Sequence, residues 1–337
     1  MTRSFLMIWA TSFRRVMRYF LIYLLFIIPL YANDKLLSLY QQEGTHAIEK
    51  IFDSELASRS YWEDKLNNID TRFGYLEGIN HLLACDKNET SLKLYTKDNN
   101  NSFMLSSDFS AFIGKVDGDK QREGDLKTPI GIYKLTQKLD NVDPFYGPLA
   151  FVTSYPNSFD KIRGKNGSGI WVHGLPLNQK RDDYTKGCIA INNTHIKYIE
   201  DQIDFKKAFV YIDKEPFPKV KKETLTILLS QLYSWRKAWK ESDIETYLSF
   251  YDTNFKRIDG LNKERFSLYK KRVFSKNEYK QIHFSNINIL PYPMQGKKDV
   301  YLINFHEEYE STSYNFSGEK ELYIQLDASK FTILAEK

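Results

Sequence analysis

Only two cysteines and six histidines occur in this 337-residue chain, and one of each stands in a setting suited to chemistry. Cys188 lies within Tyr184-Thr185-Lys186-Gly187-Cys188-Ile189-Ala190, and His173 within Ile170-Trp171-Val172-His173-Gly174. A thiol attacks a carbonyl as its thiolate, and an imidazole is the usual group that takes its proton. Fifteen positions separate the two residues, room for a strand end, a polar loop and a return to the same edge. Gly187 lets the backbone approach a substrate closely and offers an N–H to a developing oxyanion. Against this stands the plainer reading, in which a lone cysteine is a small buried apolar group and a lone histidine is structural. Cys85, inside the apolar run Leu82-Leu83-Ala84-Cys85, suits that plainer reading. Neither the cysteines nor the scattered histidines show a metal-ligand spacing, so no metal and no cofactor is expected.

The elements that must position this pair read as short strands. Between residues 73 and 216, alternation at Tyr75–Ile79, Ser91–Tyr95, Ile130–Leu135, Gly169–His173 and Phe209–Ile212 is punctuated by turns such as Asp98-Asn99-Asn100-Asn101. That texture predicts a mostly β domain, a sandwich or barrel-like sheet. Before it, residues 33–72 predict a helical arm, with Leu37, Tyr40, Ala47, Ile48, Ile51 and Phe52 at helical spacing and a break at Gly44-Thr45. This arm is a candidate for pairing two subunits. After the linker Pro216-Phe217-Pro218-Lys219, residues 217–337 read as helices followed by strands, an α+β plan. Leu225, Leu228, Leu232, Trp235 and Trp239 form one helical stripe, and Ile244, Tyr247, Leu248 and Tyr251 another. Alternating strands follow at 281–290, 300–308, 321–327 and 331–335.

The formal charge of +5 belongs mainly to the first 32 residues, which carry four arginines and no acid. The remainder holds 44 basic against 43 acidic residues and no basic stripe, so no nucleic-acid partner is expected. Arg14, Arg15 and Arg18 precede the apolar run Tyr19–Leu30, and the chain turns polar at Asn33. Residues 1–32 are therefore expected to be an export signal, or an anchor if Leu30 prevents cleavage, with Met17 as an alternative start. Export would place the protein in the periplasm.

The segment His173-Gly174, a short loop, then Thr185-Lys186-Gly187-Cys188-Ile189 resembles the signature of the L,D-transpeptidase (YkuD-type) catalytic domain. Gly124-Asp125-Leu126-Lys127-Thr128-Pro129-Ile130-Gly131-Ile132-Tyr133 resembles a second landmark of that family, read here as scaffold around a turn and a strand start. Asp125 reads as a cap or an ion-pair partner. Many members carry Arg two positions after the cysteine, where this chain has Ala190. Trp235–Trp239, Asp243, Tyr247, Leu248 and Tyr251, with closing strands ending Phe331–Glu336, resemble a nuclear-transport-factor-2-like (NTF2-like) cone, a fold with room for a ligand.

The resemblance implies acyl transfer on peptidoglycan stem peptides. Cys188 would be the nucleophile, His173 its base, and the Gly174 carbonyl the group that orients the imidazole. The N–H groups of Gly187 and Cys188 would form the oxyanion hole, and Trp171, Tyr184 and Lys186 would touch the stem peptide or serve as rim packing. The pairing of these two domains resembles the cell-shape L,D-carboxypeptidases, in which water resolves a thioester and D-alanine leaves a tetrapeptide. A true L,D-transpeptidase is the alternative. An inactive wall-binding protein and a redox protein using Cys85 and Cys188 are the readings from other classes.

Overall fold

The computed structural model describes residues 34–337 apart from Arg181 and Lys298. The expected leader, residues 1–32, lies outside the described residues. The chain divides after Leu56 into two units, each described separately below.

In the first unit, helix α1 (residues 34–43) meets α2 (Thr45–Leu56) at Gly44, whose φ of +76° lets the chain turn there. Leu37, Tyr40, Ile51 and Phe52, four of the six residues at helical spacing, are exposed. Two short helices carry too few apolar residues to close a core of their own.

The second unit begins with α3 (Arg59–Lys65) and a 3-10 turn at Leu66–Asn68. Ser58 caps α3 by accepting the Tyr61 N–H. Strand β1 (Tyr75–Leu76) was expected in the β domain with Cys188 but instead pairs with a strand near the other end of the chain. Eight strands then close a barrel: β2 (His81–Asp86), β3 (Ser91–Lys97), β4 (Phe103–Phe112), β5 (Gly131–Leu139), β6 (Ala150–Thr153), β7 (Trp171–His173), β8 (Ile189–Ile191) and β9 (Ala208–Asp213). Their order around the barrel is β2-β3-β4-β8-β7-β6-β5-β9. Helix α4 (Ser158–Ile162) lies between β6 and β7 in sequence, and α5 (Asn193–Gln202) follows β8.

Side chains alternate across each strand, and both faces of this barrel are covered on the side that meets the C-terminal domain. Leu83 and Cys85 of β2, Tyr133 and Leu135 of β5, and Val210 and Ile212 of β9 point into the barrel core. Their neighbours Leu82, Ile132, Phe209 and Tyr211 form a second core with Leu290, Tyr292, Leu302 and Tyr323. Phe159 of α4 stacks on Tyr323 with ring centroids 4.4 Å apart. Asn157 Nδ2 donates to Ile132 O and to Tyr292 Oη, both at 3.0 Å.

The C-terminal domain places α6 (Lys222–Lys240), α7 (Ile244–Ser249) and α8 (Lys263–Phe274) with β10 (Tyr251–Arg257), β11 (Lys280–Pro291), β12 (Val300–Ser311), β13 (Asn315–Asp327) and β14 (Lys330–Glu336). The six-stranded sheet runs β1-β11-β12-β13-β14-β10. Tyr251, expected on a helical stripe, opens β10 because it pairs in parallel with Ile333. Trp62 of α3 is buried and stacks on Tyr233 of α6 at 5.4 Å, so the last part of the expected arm belongs with this domain. No helix of the described residues is long and apolar enough to cross a membrane.

Candidate active site

Parallel pairing of β7 with β8 sets His173 opposite Ala190 and Val172 opposite Ile189. Cys188 stands one residue before β8, at the barrel rim, and the Trp171 N–H reaches its Sγ at 3.4 Å. Sγ also lies 3.3 Å from Gly169 O. Cys188 and His173 line the same cleft, about 720 Å³ in volume.

His173 is almost fully buried, and its Nδ1 lies 2.6 Å from Gly174 O. A carbonyl oxygen only accepts, so this contact places the proton on Nδ1 and makes Nε2 the acceptor nitrogen of the neutral ring. Residue 174 can only be glycine here, since a Cβ would collide with Asn193 Oδ1 and Pro148 Cδ. Asn193 Oδ1 accepts the Leu175 N–H at 2.7 Å and fixes the turn that follows. Tyr146 meets the His173 ring edge-on, with centroids 5.0 Å apart and planes at 88°.

The loop before Cys188 is held on both sides by threonine hydroxyls. Thr185 Oγ1 accepts the Gly187 N–H at 2.9 Å and donates to Cys188 O at 2.7 Å. Thr128 Oγ1 accepts the Gly114 N–H at 2.8 Å and donates to Gly187 O at 3.0 Å. The Gly187 N–H, expected to face an oxyanion, is therefore engaged inside the loop. Glycine is required at 187 for another reason: φ is +134°, and a Cβ would lie 2.8 Å from Lys127 O.

Of the expected substrate-contacting residues, Tyr184 and Lys186 line the cleft, and Lys115 Nζ lies 4.7 Å from the centroid of the Tyr184 ring. The Trp171 ring packs at 4.9 Å on Tyr146, which lines the cleft. Ala190 is fully buried in β8, so a methyl group stands two positions after the cysteine.

Asp125 acts as a fastener for the loop that backs the cleft. It binds Lys120 Nζ at 2.7 Å and accepts N–H groups from Gln121, Arg122 and Lys127 at 2.8, 3.1 and 3.1 Å. Burial opposes its ionisation, but the ammonium and these N–H groups prevail and hold the carboxyl well below the usual carboxylate range. No group of three or more His, Cys, Asp or Glu side chains arranged to hold a metal occurs among the described residues.

Comparison with known proteins agrees with this architecture. Residues 80–216 match the L,D-transpeptidase catalytic domain (YkuD), and residues 227–337 match the Cds6 C-terminal NTF2-like domain. The helical cell shape determining protein Pgp2 from Campylobacter jejuni is 38% identical in a solved structure. That match covers 83% of this chain and 99% of the other, with a TM-score of 0.77. This chain belongs to the L,D-transpeptidase catalytic-domain family. Bd1075 of Bdellovibrio bacteriovorus is 30% identical in a solved structure, a match that covers 80% of this chain and 96% of that one, with a TM-score of 0.62. A putative L,D-transpeptidase of Escherichia coli, YafK, is 29% identical over 136 residues, and this chain spans about half (52%) of its length.

Within the family domain, several cleft residues escaped the sequence reading. Phe145 and Tyr146 enter through a 3-10 turn at Pro144–Tyr146, capped by Asp143, whose side chain accepts the Phe145 N–H. The Asp143-Pro144 pair marks such a turn, but nothing local shows that it faces His173. Lys120, Glu123, Lys180 and Asp182 also line the cleft and give it charges of both signs.

Proposed function

We propose that this protein is a peptidoglycan L,D-carboxypeptidase that removes the terminal D-alanine from tetrapeptide stems and so influences cell shape. The observation that carries this reading is the match, across both domains, to a protein described as determining helical cell shape. The cleft chemistry supports it. Cys188 Sγ, its proton taken by His173 Nε2, attacks the carbonyl carbon of the third stem residue. The tetrahedral oxyanion collapses, the C–N bond breaks, and the imidazolium protonates the departing D-alanine amine. Water then attacks the thioester with His173 as base, giving a tripeptide carboxylate and the free thiol. Lys180 and Lys186 at the cleft are suited to the carboxylate of the leaving residue, in place of the guanidinium that Ala190 lacks. Export to the periplasm is part of the same proposal, since the substrate lies outside the cytoplasm.

The test is incubation of the purified protein, lacking residues 1–32, with disaccharide-tetrapeptide muropeptides, with products identified by mass spectrometry. Tripeptide and free D-alanine without dimers are expected, and Cys188→Ala should yield neither. Dimers joined between third residues would replace this reading with L,D-transpeptidation. Unchanged muropeptides, with Cys188 still alkylatable, would point to a wall-binding protein.

A further inference from the structure

The two threonines that grip the Cys188 loop do different things. Thr185 belongs to the loop itself, whereas Thr128 reaches it from 59 residues away. The hydroxyl of Thr128 is fully buried, and its single proton goes to Gly187 O while its lone pair takes the Gly114 N–H. Among the described residues the one cis peptide bond is Tyr155–Pro156, so the bond between Gly187 and Cys188 is trans. In a trans peptide the C=O and the following N–H point in opposite directions. Anchoring Gly187 O on Thr128 therefore turns the Cys188 N–H the other way, away from the Thr128 hydroxyl. Thr185, which accepts the Gly187 N–H and donates to Cys188 O, fixes the peptide planes on either side of this one.

We propose that Thr128 is a positioning residue for acyl transfer: its hydroxyl sets the 187–188 peptide plane so that the Cys188 N–H can donate to the oxyanion. Its side chain touches neither substrate nor thiol. The close approach it needs is built in: a Cβ at Gly114 would overlap the backbone at Leu126 and Thr128, and one at Gly187 would press on Lys127 O. The inference rests on the acyl-transfer reading of Cys188 but not on which stem peptide is the substrate.

The full chain carrying Thr128→Val or Thr128→Ser separates this role from a general structural one. Two reactions of Cys188 are compared. Acylation by p-nitrophenyl acetate passes through a tetrahedral oxyanion; alkylation by iodoacetamide displaces iodide at carbon and forms none. Thr128→Val should slow acylation and muropeptide turnover by about 100-fold, the scale of losing one oxyanion donor, while alkylation stays within about twofold. Thr128→Ser, which keeps the hydroxyl, should recover most of the acylation rate. Equal losses in both reactions, or no loss in either, would overturn the proposal. Should Thr128→Val fail to fold, Thr185→Val loosens the two peptide planes that flank this one and must give the same split between the two rates. A wild-type protein that acylates with the ester but leaves muropeptides untouched would remove the substrate assignment and leave the Thr128 comparison intact. A wild-type thiol that alkylates but never acylates would count against both.

Discussion

The barrel interior and the barrel rim each hold one thiol, and the two regions treat the same functional group in opposite ways. Cys85 points into the core from β2, between Leu92 of β3 and Ile212 of β9, and is 1% exposed. Burial pushes its thiol up to about 12, outweighing the Lys87 ammonium, which pulls the other way. Cys188 stands outside the ladder, half-buried, with backbone polar groups around Sγ and an imidazole in the same cleft. Cys85 and Cys188 are not joined in a disulfide, so the redox reading has no bond behind it. The contrast is one of position on the barrel: Cys85 sits within paired strands, whereas Cys188 stands one residue before β8 and lines the cleft.

The largest test of that contrast is Cys188→Ala, which should reduce turnover to background while the thermal melt stays close to wild type. His173→Ala comes next, with an expected loss of about 10²–10⁴-fold in kcat/KM, because the thiol loses its proton acceptor. A rate near wild type would move the base to another residue. Asp125→Asn probes the loop behind the rim and should lower stability near neutral pH by about 2–3 kcal/mol, as expected on weakening a buried charged hydrogen-bond set. Because the folded carboxyl titrates below its ordinary 3.8, its stabilisation is complete above that value and fades as pH falls towards the lower folded one. The gap between wild-type and Asp125→Asn melting temperatures should accordingly close in acid. Smallest of all, Cys85→Ala should cost about 1–2 kcal/mol for a partly filled cavity and leave kcat/KM unchanged. Iodoacetamide at pH 8 should mark Cys188 alone in the native protein, as peptide mapping would show.

Much of the rim was legible because its residues are close in sequence. His173-Gly174 and Thr185–Ile189 carry their own motif, and the strands around them alternate cleanly between turns. The grip of Thr128 on Gly187 was not legible, because a turn-and-strand motif gives no sign of what its hydroxyl reaches across the barrel. Tyr146 was missed for the same reason. In the C-terminal domain the Trp235 stripe and the four last strands stood out, whereas α8, with Lys270 buried against the Trp239 ring at 4.4 Å, did not. Its charged residues conceal a helix whose buried face is completed by a Lys320–Glu336 ion pair of 2.6 Å nearby. Tyr251 fits the helical period, and only its parallel partner Ile333 decides that it begins a strand.

The pairing of Tyr75 and Leu76 with β11 has a consequence for how the molecule is made. Gly78 donates its N–H to Asn288 Oδ1, a partner 210 residues further along. In topological terms the barrel is an insertion between the first and second strands of another domain's sheet. A ribosome releases the edge strand early and its partner only after the whole enzyme module has emerged. The C-terminal sheet is thus completed by residues synthesised before the barrel, and the finished barrel hangs from that sheet at both of its ends, as a bracelet hangs from its clasp.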